Sequence, residues 1–402
     1  MDNVTDNLIL NFECSDKIIF TPKWTAYSFS SDKKSVNKEL IFIIPRDQFH
    51  LKDRLSTILP NAVIFLLANE SSILDISQHI DKTEAVHVFF ACQTSWHQGI
   101  DETAYRLFLA LIQKLANNPV TLHFDIVATS ALYNPYMSHV IHPFDGIYIG
   151  FAQTMQKELL HWTIRIFNLD HFNQENINRI LYQTFEKSVT GPIHIVNNKY
   201  YISGLEAFTF QPNLAQKGFK EKGTYLIIGG NGGIGSALAD YLIQRYHAHL
   251  ILVGRSEPSS EQKVRYQDHS VIFETIDICS TPCVDKLFSR YPTINGIIHS
   301  ALVLDDASIL TMTASQLIKV IAPKVQGTFN LMNAIRFRQL DFVLFFSSIQ
   351  SFIANSGQAN YTAACVCKDA MAHLLNDAFL VNSKIINWGF WGSVGIVADD
   401  FY

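Results

Sequence analysis

Thr224-Tyr225-Leu226-Ile227-Ile228 runs into Gly229-Gly230-Asn231-Gly232-Gly233-Ile234-Gly235, then into Ser236-Ala237-Leu238-Ala239-Asp240-Tyr241-Leu242. The first five residues read as a buried strand, the last seven as a helix. The segment between them meets G-x-G-x-x-G from Gly230 to Gly235, and G-x-x-x-G-x-G from Gly229 to Gly235. Bare backbone N–H groups at a helix N-terminus suit a pyrophosphate, and glycines allow the close approach and the tight turn. A glycine-rich turn without a ligand is the plain alternative. The flanking strand and helix favour a dinucleotide site at Gly229, Asn231, Gly232, Gly233, Ile234 and Gly235.

The end of the next strand selects the cofactor. An acid about 20 residues past the loop would hold a ribose hydroxyl. Twenty residues after Gly235 stands Arg255, followed by Ser256. A guanidinium and a hydroxyl suit a 2′-phosphate, so NADPH is expected over NADH. Asp277, at the end of the third strand, serves either the adenine amine or a plain capping role; the sequence leaves both open.

Working outward, strands are expected at 224–228, 250–253, 271–276, 296–299, 342–347 and 384–387, with helices at 314–336 and 360–379. The N-terminal half offers strands at 40–44, 63–67, 86–92, 122–128 and 164–168, with helices at 102–115 and 144–160. Short apolar strands alternating with helices imply parallel β-α-β units. The fold class is therefore α/β, with two doubly wound, Rossmann-like subdomains on parallel sheets. Only the second carries a phosphate loop. The polar stretch 211–218, with Pro212 and Gly218 near its ends, is the expected boundary. It separates a structural unit at 1–217 from a catalytic unit at 218–402.

Composition agrees with a well-buried chain. The protein has 402 residues, 48% of them hydrophobic and 17% charged, against about 25% charged in average domains. Net charge is −5, which gives no electrostatic footprint for nucleic acid. No apolar run approaches the roughly 18 residues that span a bilayer, and the polar N-terminus lacks a signal-peptide pattern. No membrane partner and a cytoplasmic location are the expectation. The six cysteines and fifteen histidines show no metal-ligand spacing, so no metal site is expected.

A second stretch carries chemistry: Phe345-Phe346-Ser347-Ser348, then Ser356-Gly357-Gln358-Ala359-Asn360-Tyr361. Ser348 ends a buried strand, and Tyr361 opens a helix thirteen residues on. A carbonyl receiving hydride needs a proton on its oxygen. A phenol supplies it when a nearby cation lowers its pKa from about 10. A serine hydroxyl holds the same oxygen, and a lysine ammonium is the cation.

With these residues the chain resembles the short-chain dehydrogenase/reductase superfamily. More narrowly, it resembles the ketoreductase domains of modular polyketide synthases, in wording closest to those whose acyltransferases act in trans. Phe20-Thr21-Pro22-Lys23-Trp24, the run Gly150-Phe151-Ala152-Gln153-Thr154-Met155-Gln156-Lys157-Glu158, and Ile386-Asn387-Trp388-Gly389-Phe390-Trp391-Gly392 extend the likeness over nearly the whole chain. Most of the superfamily takes its lysine four residues after the tyrosine, where this chain has Cys365. Polyketide ketoreductases take it from the preceding helix, and Ala322-Pro323-Lys324-Val325-Gln326-Gly327 matches that pattern at Lys324. Lys368, two helical turns past Tyr361, is the competing cation. The family often carries asparagine at the position of Cys365, which puts a proton relay there in doubt.

The resemblance implies an NADPH-dependent oxidoreductase acting on a β-ketoacyl chain held on the phosphopantetheine arm of an acyl carrier protein. Other synthase domains are the implied neighbours. It implies Lys324, Ser348 and Tyr361 as catalytic residues. It also places Ile278, Ala301 and Leu302 beside the cofactor, with Lys324 on its ribose. Leu304-Asp305-Asp306 resembles the motif of B-type ketoreductases, which yield D-configured alcohols, and Gln358 is placed with it on the substrate side. The opposite type carries a tryptophan eight residues before the tyrosine; Ile353 stands there. Capping of the following helix is the plain alternative for Asp305 and Asp306. The end at Asp399-Asp400-Phe401-Tyr402 comes early for the family and suggests a truncated or split unit. Two other functions stay open: a non-catalytic scaffold, supported by Cys365 and that early end, and a free-standing reductase of small ketones, opposed by the large N-terminal half.

Overall fold

The computed structural model describes residues 19–27, 38–83, 86–95, 97, 99–118, 121–137, 141–182, 189–208 and 218–391. The expected boundary at 211–218 and the final residues 392–402 fall almost wholly outside them.

Two sheets organise these residues. The first has eight strands: β1 (Ile19–Tyr27), β2 (Glu39–Pro45), β3 (Val63–Leu67), β4 (Val86–Cys92), β5 (His123–Thr129), β6 (Thr163–Leu169), β7 (Pro192–Val196) and β8 (Lys199–Phe208). Their order is β1-β8-β7-β6-β5-β4-β2-β3. Strands β2 to β7 pair in parallel, with buried Val-, Ile- and Phe-rich runs such as Val88–Ala91. At one edge the sheet changes character. Val196 and Lys199 bracket a two-residue turn, Asn197-Asn198, with positive φ at both positions. This is the asparagine-rich hairpin chemistry that lets β8 return antiparallel to β7, and β1 then pairs antiparallel with β8. The sequence reading contained neither this hairpin nor β1; β1 and the outer half of β8 are exposed and lack an apolar run.

The second sheet contains β9 (Thr224–Ile228), β10 (His249–Gly254), β11 (Val271–Thr275), β12 (Gly296–His299), β13 (Phe342–Ser348) and β14 (Ser383–Trp388), in the order β11-β10-β9-β12-β13-β14. Every neighbouring pair is parallel. The fold class is thus α/β with two doubly wound sheets.

The helices of the first unit are α1 (Phe49–Ile58), α2 (Glu70–Asp81), α3 (Glu102–Ala116), α4 (Gly146–Glu158) and α5 (Gln174–Tyr182). Those of the second are α6 (Gly233–Tyr246), α7 (Ser260–Arg265), α8 (Thr281–Arg290), α9 (Ala314–Lys324), α10 (Gln326–Ile335), α11 (Gln350–Ile353) and α12 (Ala359–Phe379). The single helix expected at 314–336 is two. Pro323 lies inside α9, where it lacks an N–H and crowds the preceding turn; the helix breaks at Val325. The break leaves Lys324 as the last residue of α9.

One apolar cluster joins the units, taking Phe90, Phe108 and Ile149 from the first and Val343, Ala363 and Met371 from the second. Helices α4 and α12 meet closely within it. A Cβ placed on Gly150 would stand 2.7 Å from Ala363 Cα and 2.9 Å from Thr362 O. Only glycine permits that approach.

Candidate active site

The second sheet reverses its winding between β9 and β12, which puts a crevice at the carboxyl ends of those strands. The glycine loop lies there. Gly229 has φ +84°, and a side chain on it would meet Ala301 N at 2.7 Å. A side chain on Gly235 would collide with Gly229 O. The loop is therefore closed to side chains on its inner face. Gly232 caps α6 with no side-chain hydrogen bond. Asn231 donates to Ser256 O at 3.2 Å, and its Oδ1 is buried with no hydrogen-bond partner among the described residues. A bare helix N-terminus, a cradle that a Cβ would fill and an orphaned amide oxygen fit a dinucleotide.

Arg255 and Ser256 stand exposed just beyond β10. Asp277 accepts a hydrogen bond from Cys279 N at 2.9 Å, a local capping contact, and Ile278 packs beneath with its carbonyl accepting from Asn330. Ala301 and Leu302 follow β12 beside the loop.

Across the crevice, Ser348 ends β13 and Tyr361 lies in the first turn of α12. The α9 break brings Lys324 Nζ to 5.0 Å from the centroid of the Tyr361 ring. Lys324 is 1% exposed. Burial opposes its charge, but Cys365, Tyr361 and Asp369 around it hold its pKa above the ordinary value. Burial pushes the Tyr361 phenol up to about 12, against the pull of the Lys324 ammonium and a hydrogen bond with Ser348. The three residues that the sequence paired are together. Lys368 is placed differently: its Nζ donates to His299 O at 3.0 Å and Phe346 O at 3.1 Å. Burial, then Lys324, drives its pKa well down. It ties two strand ends together and leaves Tyr361 to Lys324.

Cys365 is wholly buried one turn past Tyr361, against Lys324, and it packs with Val320, Leu302, Val303 and Leu304. Its thiol thus occupies the space behind the phenol. Leu304 joins the apolar wall at Tyr361. Asp305 accepts from Lys319 at 2.7 Å and from Gln316 at 3.0 Å, and Asp306 accepts from Gln358 at 2.7 Å. Asn360, which the sequence reading did not single out, donates to Asp305 O at 2.9 Å. Its position next to Tyr361 was the available signal. A cavity of about 730 Å³ lies elsewhere, lined by Trp24, Tyr133, Asp369 and His373 but by none of Lys324, Ser348 and Tyr361.

The model of the KR domain matches residues 223–393, a span that takes in both the glycine loop and Tyr361. Residues 223–393 resemble KR domains. PksN, a polyketide synthase of Bacillus subtilis (strain 168), is 28% identical over 359 residues, 85% of this chain but 6% of PksN. ThaG, a polyketide synthase of Burkholderia thailandensis, is 36% identical over 196 residues, 46% of this chain and 4% of ThaG. The chain therefore spans a small fraction of these relatives. Among solved structures, A-type ketoreductases from a modular polyketide synthase superpose with a TM-score of 0.80 at 18% identity, covering 95% of this chain and 84% of that one. A ketoreductase domain from the bacillaene assembly line gives 0.67 at 19% identity over 94% and 86%. The second likeness, like the first, extends over the N-terminal unit as well as the KR domain. A ketoreductase domain is an oxidoreductase. Among the described residues, no helix is long and apolar enough to cross a membrane.

Proposed function

We propose that this chain reduces a β-ketoacyl thioester, carried on an acyl carrier protein, to the β-hydroxyacyl thioester in polyketide assembly. The observation that carries the reading is the buried Lys324 ammonium 5.0 Å from the Tyr361 ring, with Ser348 beside the same phenol. The relatives are synthases many times longer than this chain, which supports a carrier protein and other synthase domains as partners.

NADPH, when bound, supplies the hydride. The glycine loop and the α6 N-terminus would hold its pyrophosphate, and Arg255 with Ser256 its 2′-phosphate. Ser348 holds the ketone oxygen against Tyr361. A phenol with a pKa raised to about 12 stays protonated at neutral pH, as a proton donor must. As the β-carbon accepts the hydride, charge gathers on oxygen and the Tyr361 proton moves to it. The Lys324 ammonium stabilises the phenolate left behind. The Leu302–Leu304 wall excludes water from that oxygen. The Leu304-Asp305-Asp306 segment beside Tyr361 supports a B-type, D-configured product.

The test is NADPH oxidation with a β-ketoacyl N-acetylcysteamine thioester, followed by chiral analysis of the alcohol. Wild-type turnover with a D-alcohol is expected. Tyr361→Phe is expected to lose about a thousandfold in kcat with NADPH binding retained. An L-alcohol would sink the stereochemical assignment. Tight NADPH binding without turnover, on free and carrier-bound thioesters alike, would favour a scaffold.

A further inference from the structure

Glu158 ends α4, in the N-terminal unit, yet both of its carboxylate oxygens are spent on the KR domain. Oε2 accepts from Ile309 N at 2.7 Å, and Oε1 accepts from Gly357 N at 2.7 Å. Those two N–H groups belong to different loops. One loop runs from β12 to α9 and carries Leu304, Asp305 and Asp306. The other runs from α11 to α12 and carries Gln358, three residues before Tyr361. Between themselves the loops share Ala307 N to Gly357 O at 2.9 Å and the Gln358–Asp306 bond. Gly357 has φ +82°, a turn conformation that glycine adopts freely.

A second residue of the N-terminal unit acts on the same place. Gln113, on α3, donates from Nε2 to Ile309 O at 2.8 Å and to Met312 O at 2.7 Å. The loop ahead of α9 is thus gripped at Ile309 on both its N–H and its carbonyl. No described contact runs from either residue to the glycine loop at 229–235.

We propose that Glu158 is a positioning residue for stereocontrol, clamping the Leu304–Asp306 loop to the Tyr361 loop, with Gln113 as the second jaw. The inference rests on the ketoreductase reading and gives the N-terminal unit a part in the reaction. Two N–H donors on one carboxylate are a demand that glutamine cannot meet. Its single oxygen satisfies one donor, and its NH₂ group faces the other. A hydrogen bond to a charged acceptor is stronger than a neutral one, so the loss falls on the register of the two loops.

Glu158→Gln and Gln113→Ala would be compared with wild type in two assays. Hydrogen–deuterium exchange reads the clamp without any turnover. Exchange at 301–312 and 355–361 is expected to rise about tenfold in Glu158→Gln, with 229–235 unchanged. Chiral analysis reads the consequence: a lower D-to-L ratio and a fall in kcat/KM for the thioester, with NADPH affinity kept. Gln113→Ala is expected to do the same at 301–312 alone. Unchanged exchange at both loops would overturn the clamp. Raised exchange with an unchanged product ratio would overturn its role in stereocontrol. A wild type that binds NADPH but makes no alcohol would overturn the ketoreductase reading, and the stereocontrol role with it, while exchange still judges the clamp.

Discussion

The two sheets wind alike, and each reverses direction beside its first parallel strand: between β9 and β12 in one, between β2 and β4 in the other. Such a reversal opens a crevice where α/β folds bind ligands. After β9 the chain reads Gly229-Gly230-Asn231-Gly232, and the crevice presents bare backbone. After β2 it reads Arg46-Asp47-Gln48. There Gln48, almost fully buried, donates to Thr94 Oγ1 at 2.7 Å and accepts from Gln93 N at 2.6 Å. Asp145 accepts from Thr94 N at 2.9 Å. Side chains fill the place that glycines leave open. Topology supplies the crevice in both units, and the residues behind the first strand decide whether a nucleotide enters.

That contrast can be broken from the open side first. Gly229→Val puts a branched side chain at φ +84° and against Ala301 N. NADPH affinity is expected to fall about a hundredfold or more by calorimetric titration, with the melting transition still present. Unchanged affinity would mean that the bare loop is not the cofactor cradle. A smaller change sharpens the choice of cofactor. Arg255→Glu is expected to lower the NADPH-over-NADH preference about tenfold, read from the two dissociation constants. An unaltered ratio would make Arg255 a solvated loop charge.

From the closed side the expected effect is on stability. Burial raises the Asp145 carboxyl from 3.8 to about 7. Between those values the folded chain holds a proton that the unfolded chain has released, so stability falls as pH rises through about 4 to 7 and stays lower above. Asp145→Asn is expected to flatten that slope in denaturant titrations at several pH values. A slope as steep as wild type would place the titrating group elsewhere.

The glycine loop and the Ser348–Tyr361 spacing were open to sequence reasoning because each depends on residues near one another in the chain, whereas the choice of Lys324 over Lys368 came from the family resemblance. The α9 break had a visible sign in Pro323, but the apolar periodicity continues through it and hides the change of direction. The β7–β8 hairpin had its sign in Asn197-Asn198, masked by the exposed outer half of β8. Glu158 had no local sign at all. Its partners lie about 150 and 200 residues away, at Ile309 and Gly357, and are backbone groups that no side-chain pattern reports.

The contact at Gly150 bears on modularity. The helix that carries Tyr361 is pressed against a neighbour from the other sheet, and the fit exists because one position in that neighbour has no side chain. The seam between the halves is therefore a poor place to cut and recombine. A hybrid that joined this KR domain to a foreign N-terminal half would import an uncut key for a lock already shaped. Any residue larger than glycine at that one position would press on the helix that carries Tyr361. In such assemblies the transferable piece is the pair, and the smallest residue at the seam is what makes them a pair.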